Sequence, residues 1–305
     1  MGAKAVGALG IVYVVWGSTY LAIRYAVEGG FPPLLSGGLR FVAAAAIMLV
    51  YLVLRRGRAA LRSTRTQTVT AALSGILLLA GGNGLVTVAE QRVSSGLVAL
   101  LVAAIPLWIV VLRTVLRDRP GPATAIGVLV GLVGVAVIFL PGGSGGTDVG
   151  YAALCVLAAL SWAAGSLLVT LRPVPPDPLM LTTVEMFAGG LLLLVVSVGR
   201  GELSGFSFGE VTGKAWWALA YLIVFGSLVA FTAYVWLLGN APVSIVATYA
   251  YVNPAVAVLL GALFASERLG GSALVGGLII LVAVALVVTA ESRERRRAAA
   301  VVEVS

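Results

Sequence analysis

The sequence predicts an all-α polytopic membrane protein: ten transmembrane helices in two inverted five-helix repeats. Three observations carry this. Of 305 residues, 60% are hydrophobic and 10% charged, whereas a soluble domain carries about 25% charged residues. The apolar stretches are continuous rather than alternating, which excludes a transmembrane barrel. Landmarks of the first half also recur in the second, as Trp16 and Trp162 illustrate.

A spanning helix needs about 20 apolar residues. The candidates, in order, are 7–27, 34–54, 69–89, 93–114, 123–140, 150–171, 179–198, 215–237, 241–264 and 271–290. The connections are short, and no room is left for a soluble domain. The first stretch is too long for a signal-peptide core, and Arg24 falls where a cleavage site would need small residues, so it is expected to stay as the first helix. Lysine and arginine set the orientation. Lys4, the Arg55–Arg65 loop, Arg113, Arg117, Arg119, Arg172 and the Arg293–Arg297 tail fall on one side. Arg92, Arg200, Lys214 and Arg268 fall on the other. The imbalance predicts cytoplasmic termini in a bacterial cell membrane, with 291–305 as a cytoplasmic tail. The net charge of +8 then reports topology against anionic lipid, with no nucleic-acid partner.

The repeats are 7–140 and 150–290. Seven residues separate Pro33 from Arg40, and seven separate Pro178 from Glu185. Ser95 leads to Ile105-Pro106, and Ser244 to Asn253-Pro254. Asp118 follows the first proline in a hairpin, and Glu267 the second. Five spans per copy invert the second copy relative to the first, the architecture of transporters that rock about a midplane site.

At these residues the chain resembles a family: the ten-helix drug/metabolite transporters built from two EamA domains, including bacterial inner-membrane permeases. The segments that carry the resemblance are Trp16-Gly-Ser-Thr-Tyr-Leu-Ala-Ile-Arg24, Gly82-Asn-Gly-Leu-Val-Thr-Val-Ala-Glu90, Ser161-Trp162 and Thr248-Tyr-Ala-Tyr-Val-Asn-Pro254, with the Glu267-Arg268 turn. Asp118 replaces glutamate in the first-half counterpart of that turn. The resemblance implies a central cavity lined by helices 1, 3, 4, 6, 8 and 9, with helices 5 and 10 peripheral. It also implies export or exchange of small metabolites.

Polar groups in hydrocarbon are costly and default to functional candidates. Trp16, Tyr20 and Arg24 share a helix face, with Ser18 and Thr19 between them. Trp162 and Ser166 repeat that spacing, and Asn83, Thr87 and Glu90 form a stripe. Trp108, Thr232, Tyr234, Trp236, Thr248, Tyr249, Tyr251 and Asn253 complete the expected cavity. The bland readings are interfacial anchoring for the tryptophans and interhelical hydrogen bonds for the stripe. Aromatic walls with a few hydrogen-bonding groups suit amino acids, aromatic metabolites or lipophilic cations.

Arg24, Arg40, Glu90 and Glu185 are the charge or coupling candidates. Glu28 is placed to pair with Arg24. Arg40 and Glu185 correspond across the repeats, either as a direct pair or far apart. For both arginines, pairing or snorkelling competes with substrate contact. For a carboxylate substrate Arg24 is favoured, since it shares a face with Trp16. Pro106 and Pro254 should kink their helices as candidate hinges. Gly127 and Gly131 permit close helix contact without implying a dimer, and the chain is expected as a monomer or weak homodimer.

No histidine is present, and Cys155 is the sole cysteine. No metal, cofactor or catalytic residue is expected, intramembrane histidine chemistry is excluded, and no disulfide forms within the chain. Any proton coupling must use a carboxylate. No Walker A motif occurs, so ATP does not drive this chain alone. The expected function is a secondary transporter of a small molecule, acting as an exporter by alternating access. The alternative is a channel or a non-transporting scaffold.

Overall fold

A computed structural model describes residues 3–117, 120–140, 148–241, 246 and 248–304. The regular secondary structure of the described residues is helical, with no strand among them. Eight helices are long and apolar enough to cross a membrane. They are α1 (Ala3–Glu28), α2 (Pro33–Arg56), α3 (Arg65–Ala89), α4 (Ser95–Val115), α6 (Val149–Leu171), α7 (Pro178–Gly199), α8 (Gly213–Tyr234, its last segment continuing to Asn240) and α10 (Gly271–Val304, apolar over Gly271–Arg293). Two apolar helices are shorter, α5 (Pro122–Ile138) and α9 (Tyr249–Phe264). The expectation of ten spans therefore meets eight of full length and two short ones.

Local chemistry sets the helix ends. Prolines occupy the first turns of α2, α5 and α7, where the missing N–H costs nothing. Thr64 and Gln67 form a reciprocal capping box on α3, and Asp148, Asp177 and Thr212 accept from the first turns of α6, α7 and α8.

Two helices carry the same irregularity. Ile76–Gly84 in α3 and Leu222–Val229 in α8 wind as wide π turns. Their starts are separated by the same interval as Trp16 and Trp162. The two matched prolines behave differently. The helix of α4 is interrupted at Ala103 and Ala104, just before Pro106, and resumes at Ile105. Pro254 lies inside the continuous α9.

Helices pack in matched pairs. α2 lies along α7, and α5 along α10. α1 packs on α8 and α9, whereas α6 packs on α3 and α4. The first helix of each half thus nests among helices of the other half. The Gly127/Gly131 pair is used within the chain, since a Cβ on either would press on Val287 or on Leu107 and Ala283. Gly75 lets α3 approach α7 so closely that a Cβ there would overlap the Glu185 backbone.

Backbone cannot step aside as a side-chain tip can, so Gly75→Ala should destabilise the protein by about 1–3 kcal/mol. Gly213, around which a Cβ would meet nothing, is the control. The thermal unfolding midpoint of the purified protein should fall for Gly75→Ala and hold for Gly213→Ala. Equal midpoints would contradict the close α3–α7 approach.

Candidate functional site

The spacing of α1 places Tyr13, Trp16, Tyr20 and Arg24 along one face, one turn apart. The Tyr13 hydroxyl is hydrogen-bonded to Thr248. The Trp16 ring lies 5.1 Å from Tyr234, 5.3 Å from Tyr249 and 6.5 Å from Phe231. All four rings are half-buried. The indole Nε1 donates to the carbonyl of Gly226 at 3.1 Å, within the wide turn of α8. Helix hydrogen bonding is loosened in such a turn, which leaves carbonyls available to a side chain. Ser18 is hydrogen-bonded to the Tyr221 hydroxyl, and Thr19 donates back to the Trp16 carbonyl.

The other half repeats the arrangement with α6 and α3. Ser161 donates to the Leu77 carbonyl at 2.7 Å, inside the wide turn of α3. A Cβ on Gly82 would collide with the Trp162 ring. Each tryptophan thus rests on the wide turn of the opposite half.

The expected stripe on α3 divides. Asn83 is half-buried, and its carbonyl accepts from Thr87. Glu90 follows the last helical residue of α3, is 4% exposed, and has no hydrogen-bond partner for either carboxyl oxygen among the described residues. Burial, and then the charge of Glu267, push its carboxyl well above the ordinary value. Asn253 is buried with its Oδ1 unpartnered among the described residues, and the Trp108 Nε1 is likewise enclosed. Ser166 and Tyr251 are half-buried. Thr232 and Trp236 are exposed, with Trp236 outside the ring cluster around Trp16.

The charged candidates separate into two kinds. Arg24 is committed: its Nε meets Glu28 at 2.7 Å and its Nη1 meets Glu267. Glu267 also accepts from the Ser95 N and Oγ, at 2.9 and 2.8 Å, and from the Gly96 N at 3.0 Å. The turn after α9 thereby binds both α1 and the positive end of α4. Burial works against the charge on Glu267, but these hydrogen bonds outweigh it and hold the carboxyl below the ordinary range. The Glu28 partner was legible from i,i+4 spacing. In the sequence Glu267 is a repeat landmark and part of the family-like turn, with nothing there pointing to Arg24. Its counterpart Asp118, like Ser244, lies outside the described residues.

Arg40 and Glu185 do not pair. Arg40 donates through Nε to Ser227 on α8 at 3.0 Å. Glu185 accepts from Ser74 on α3 at 2.7 Å. Each charge on α2 or α7 thus meets a serine of the opposite half. Neither serine was singled out by sequence, where each reads as one small polar residue in an apolar run. At the arginine-rich end, Arg56 meets Asp177 at 2.6 Å and Arg113 meets Glu291 at 2.7 Å.

The EamA-like transporter family matches residues 4–140 and 150–289. The chain is 39% identical over 271 residues to the inner membrane transporter YedA of Escherichia coli (strain K12), covering 86% of this chain and 83% of that one. It is 26% identical to the transporter YoaV of Bacillus subtilis (strain 168), covering 89% and 93%. A crystal structure aligns with a TM-score of 0.64 at 20% identity, over 94% of this chain and 98% of the other, a likeness of fold.

A depressed carboxylate contributes stability that is complete above its unfolded value and is lost as pH falls through the folded one. For Glu267 that loss lies below the ordinary value of 4.5. Glu267→Gln should lower the unfolding midpoint at neutral pH and flatten the acid limb of the wild-type profile. Superimposable profiles would show that the Arg24–Glu267–Ser95 junction does not hold the helices together.

Proposed function

The chain belongs to the EamA-like transporter family, and we propose that it is a secondary transporter exporting a small metabolite across the bacterial cytoplasmic membrane. It is a membrane protein of several apolar helices whose named relatives are transporters. The finer reading has ten spans, with α5 and α9 as the short ones. They form two inverted repeats around a central cavity, and both termini are cytoplasmic. The excess of lysine and arginine on one side supports that orientation.

One observation carries the mechanism. The same wide turn occurs in α3 and α8, and each supports a tryptophan of the opposite half. Two interlocked, equivalent half-sites are what alternating access needs, since either half can present its side of one site. The Arg24–Glu267–Ser95 junction joins the halves away from the arginine-rich end. We assign it as the outer gate, closed here. Trp16, Phe231, Tyr234 and Tyr249 form the aromatic wall for the substrate body, and Asn83 supplies hydrogen bonding. The carboxyl free to take a coupling proton is Glu90, because Glu185 is already bonded to Ser74.

Trp16→Ala and Asn83→Ala should each lower flux in proteoliposomes about tenfold or more, as expected when a contact worth about 1.4 kcal/mol is lost. Both variants should still insert and elute as folded protein. Undiminished flux in both would remove the wall assignment. Ion current at channel rates, in place of saturable exchange, would remove the carrier reading.

A further inference from the structure

We propose that Arg40 is the receptor for an anionic group on the transported molecule, and that the group is a carboxylate on an aromatic or apolar body. This rests on the transporter reading and names its substrate class. It also moves the expected carboxylate site from Arg24 to Arg40.

Arg24 already has two carboxylates against its charge, Glu28 and Glu267. Arg40 is the reverse case. It is the eighth residue of α2 and is 7% exposed, so it does not reach an aqueous surface. Its guanidinium faces the Phe41 ring at 4.7 Å and donates once, through Nε to Ser227. No carboxylate pairs with it among the described residues. Nη1 and Nη2 make no hydrogen bond there, and neither is among the fully enclosed polar atoms. Glu90, whose carboxyl oxygens are enclosed and without a hydrogen-bond partner among the described residues, makes no ion pair with it.

A guanidinium in hydrocarbon without a counter-ion is costly. A glutamine could hold the Ser227 contact without that cost. The free Nη1–Nη2 edge presents parallel N–H donors at the spacing of a carboxylate, which lysine cannot reproduce.

The position of this edge defines the rest of the ligand. A Cβ on Gly226 would stand 3.2 Å from the Arg40 Nη2 and 3.1 Å from the Thr19 methyl. The carbonyl of the same glycine accepts from the Trp16 indole. The charge and the aromatic wall therefore meet at one residue that has no side chain. A carboxylate on the guanidinium would leave its attached body at the rings of Trp16, Phe231, Tyr234 and Tyr249.

The test uses purified full-length protein with benzoate and phenylacetate as probes. Benzamide and phenylacetamide serve as neutral isosteres, and chloride as a simple anion. The carboxylates should raise the thermal unfolding midpoint, and the amides and chloride should not. Arg40→Gln should abolish the response. Arg40→Lys, which keeps the charge but loses the fork, should weaken binding about tenfold. Gly226→Ala, which crowds Nη2, should weaken it too, and these two variants keep the test decisive if Arg40→Gln does not fold.

Equal stabilisation by the amides, equal stabilisation by chloride, no response to either carboxylate, or an undiminished response in Arg40→Lys and Gly226→Ala would each overturn the proposal. Proteoliposome counterflow separates the two readings. Saturable flux of a cation with no carboxylate binding leaves a transporter without this site. Carboxylate binding that depends on Arg40, with no flux, leaves the site and removes the transporter.

Discussion

The governing constraint is that a polar group inside an apolar slab must find its partner within the chain. Water is not there to supply one. Many serines and threonines bond back to a carbonyl of their own helix, and the long-range bonds join helices from opposite halves. Trp16 bonds the wide turn of α8, Ser161 the wide turn of α3, Arg40 meets Ser227, and Glu185 meets Ser74. The packing order follows from these partnerships. α1 lies among α8 and α9, and α6 among α3 and α4, so neither half is closed on itself. The wide turns are part of the same solution, since a regular α-helix offers a side chain few free carbonyls. Gly82, pressed against Trp162, and Gly226, beside Arg40 and Thr19, permit the approach where a methyl group would block it.

Much of this was legible in the sequence, and the remainder was hidden for identifiable reasons. Continuous apolarity located the helices, because length and hydropathy are local properties. Hydropathy does not register how tightly a helix is wound, so the π turns left no trace beyond a run of glycines in α3. The Arg24–Glu28 pair followed from helical spacing. Glu267 is as close to Arg24 but 243 residues away in sequence, a distance that no local pattern spans. The equal proline intervals identified Arg40 and Glu185 as equivalent positions, yet equivalence gives no partner. Each partner is a lone serine on another helix, chemically unremarkable until the helices are assembled. Matched prolines were expected to act alike, and they do not. α4 breaks before Pro106 while α9 runs through Pro254, so the two halves differ in backbone as well as in side chains.

That divergence matters because a duplicated scaffold begins with two identical half-sites. With identical chemistry the two would compete for the same ligand group and give it no preferred orientation. Here one half-site holds a cation on serine and the other an acid on serine. The acid's hydrogen bond is made by Ser74, whereas the guanidinium uses one of its donors and leaves an edge unbonded. A symmetric frame thus carries asymmetric charge, and a ligand with one charged end would be oriented by it. The outer junction has the complementary character. Arg24 and Glu267 offset each other's charge together with the N-terminus of α4. Charges that neutralise one another suit a joint that must hold and release, and a charge left open suits a site that must be filled. On this physical ground we assign Arg24 to the gate and Arg40 to the substrate, although by sequence position alone Arg24 is the favoured carboxylate site.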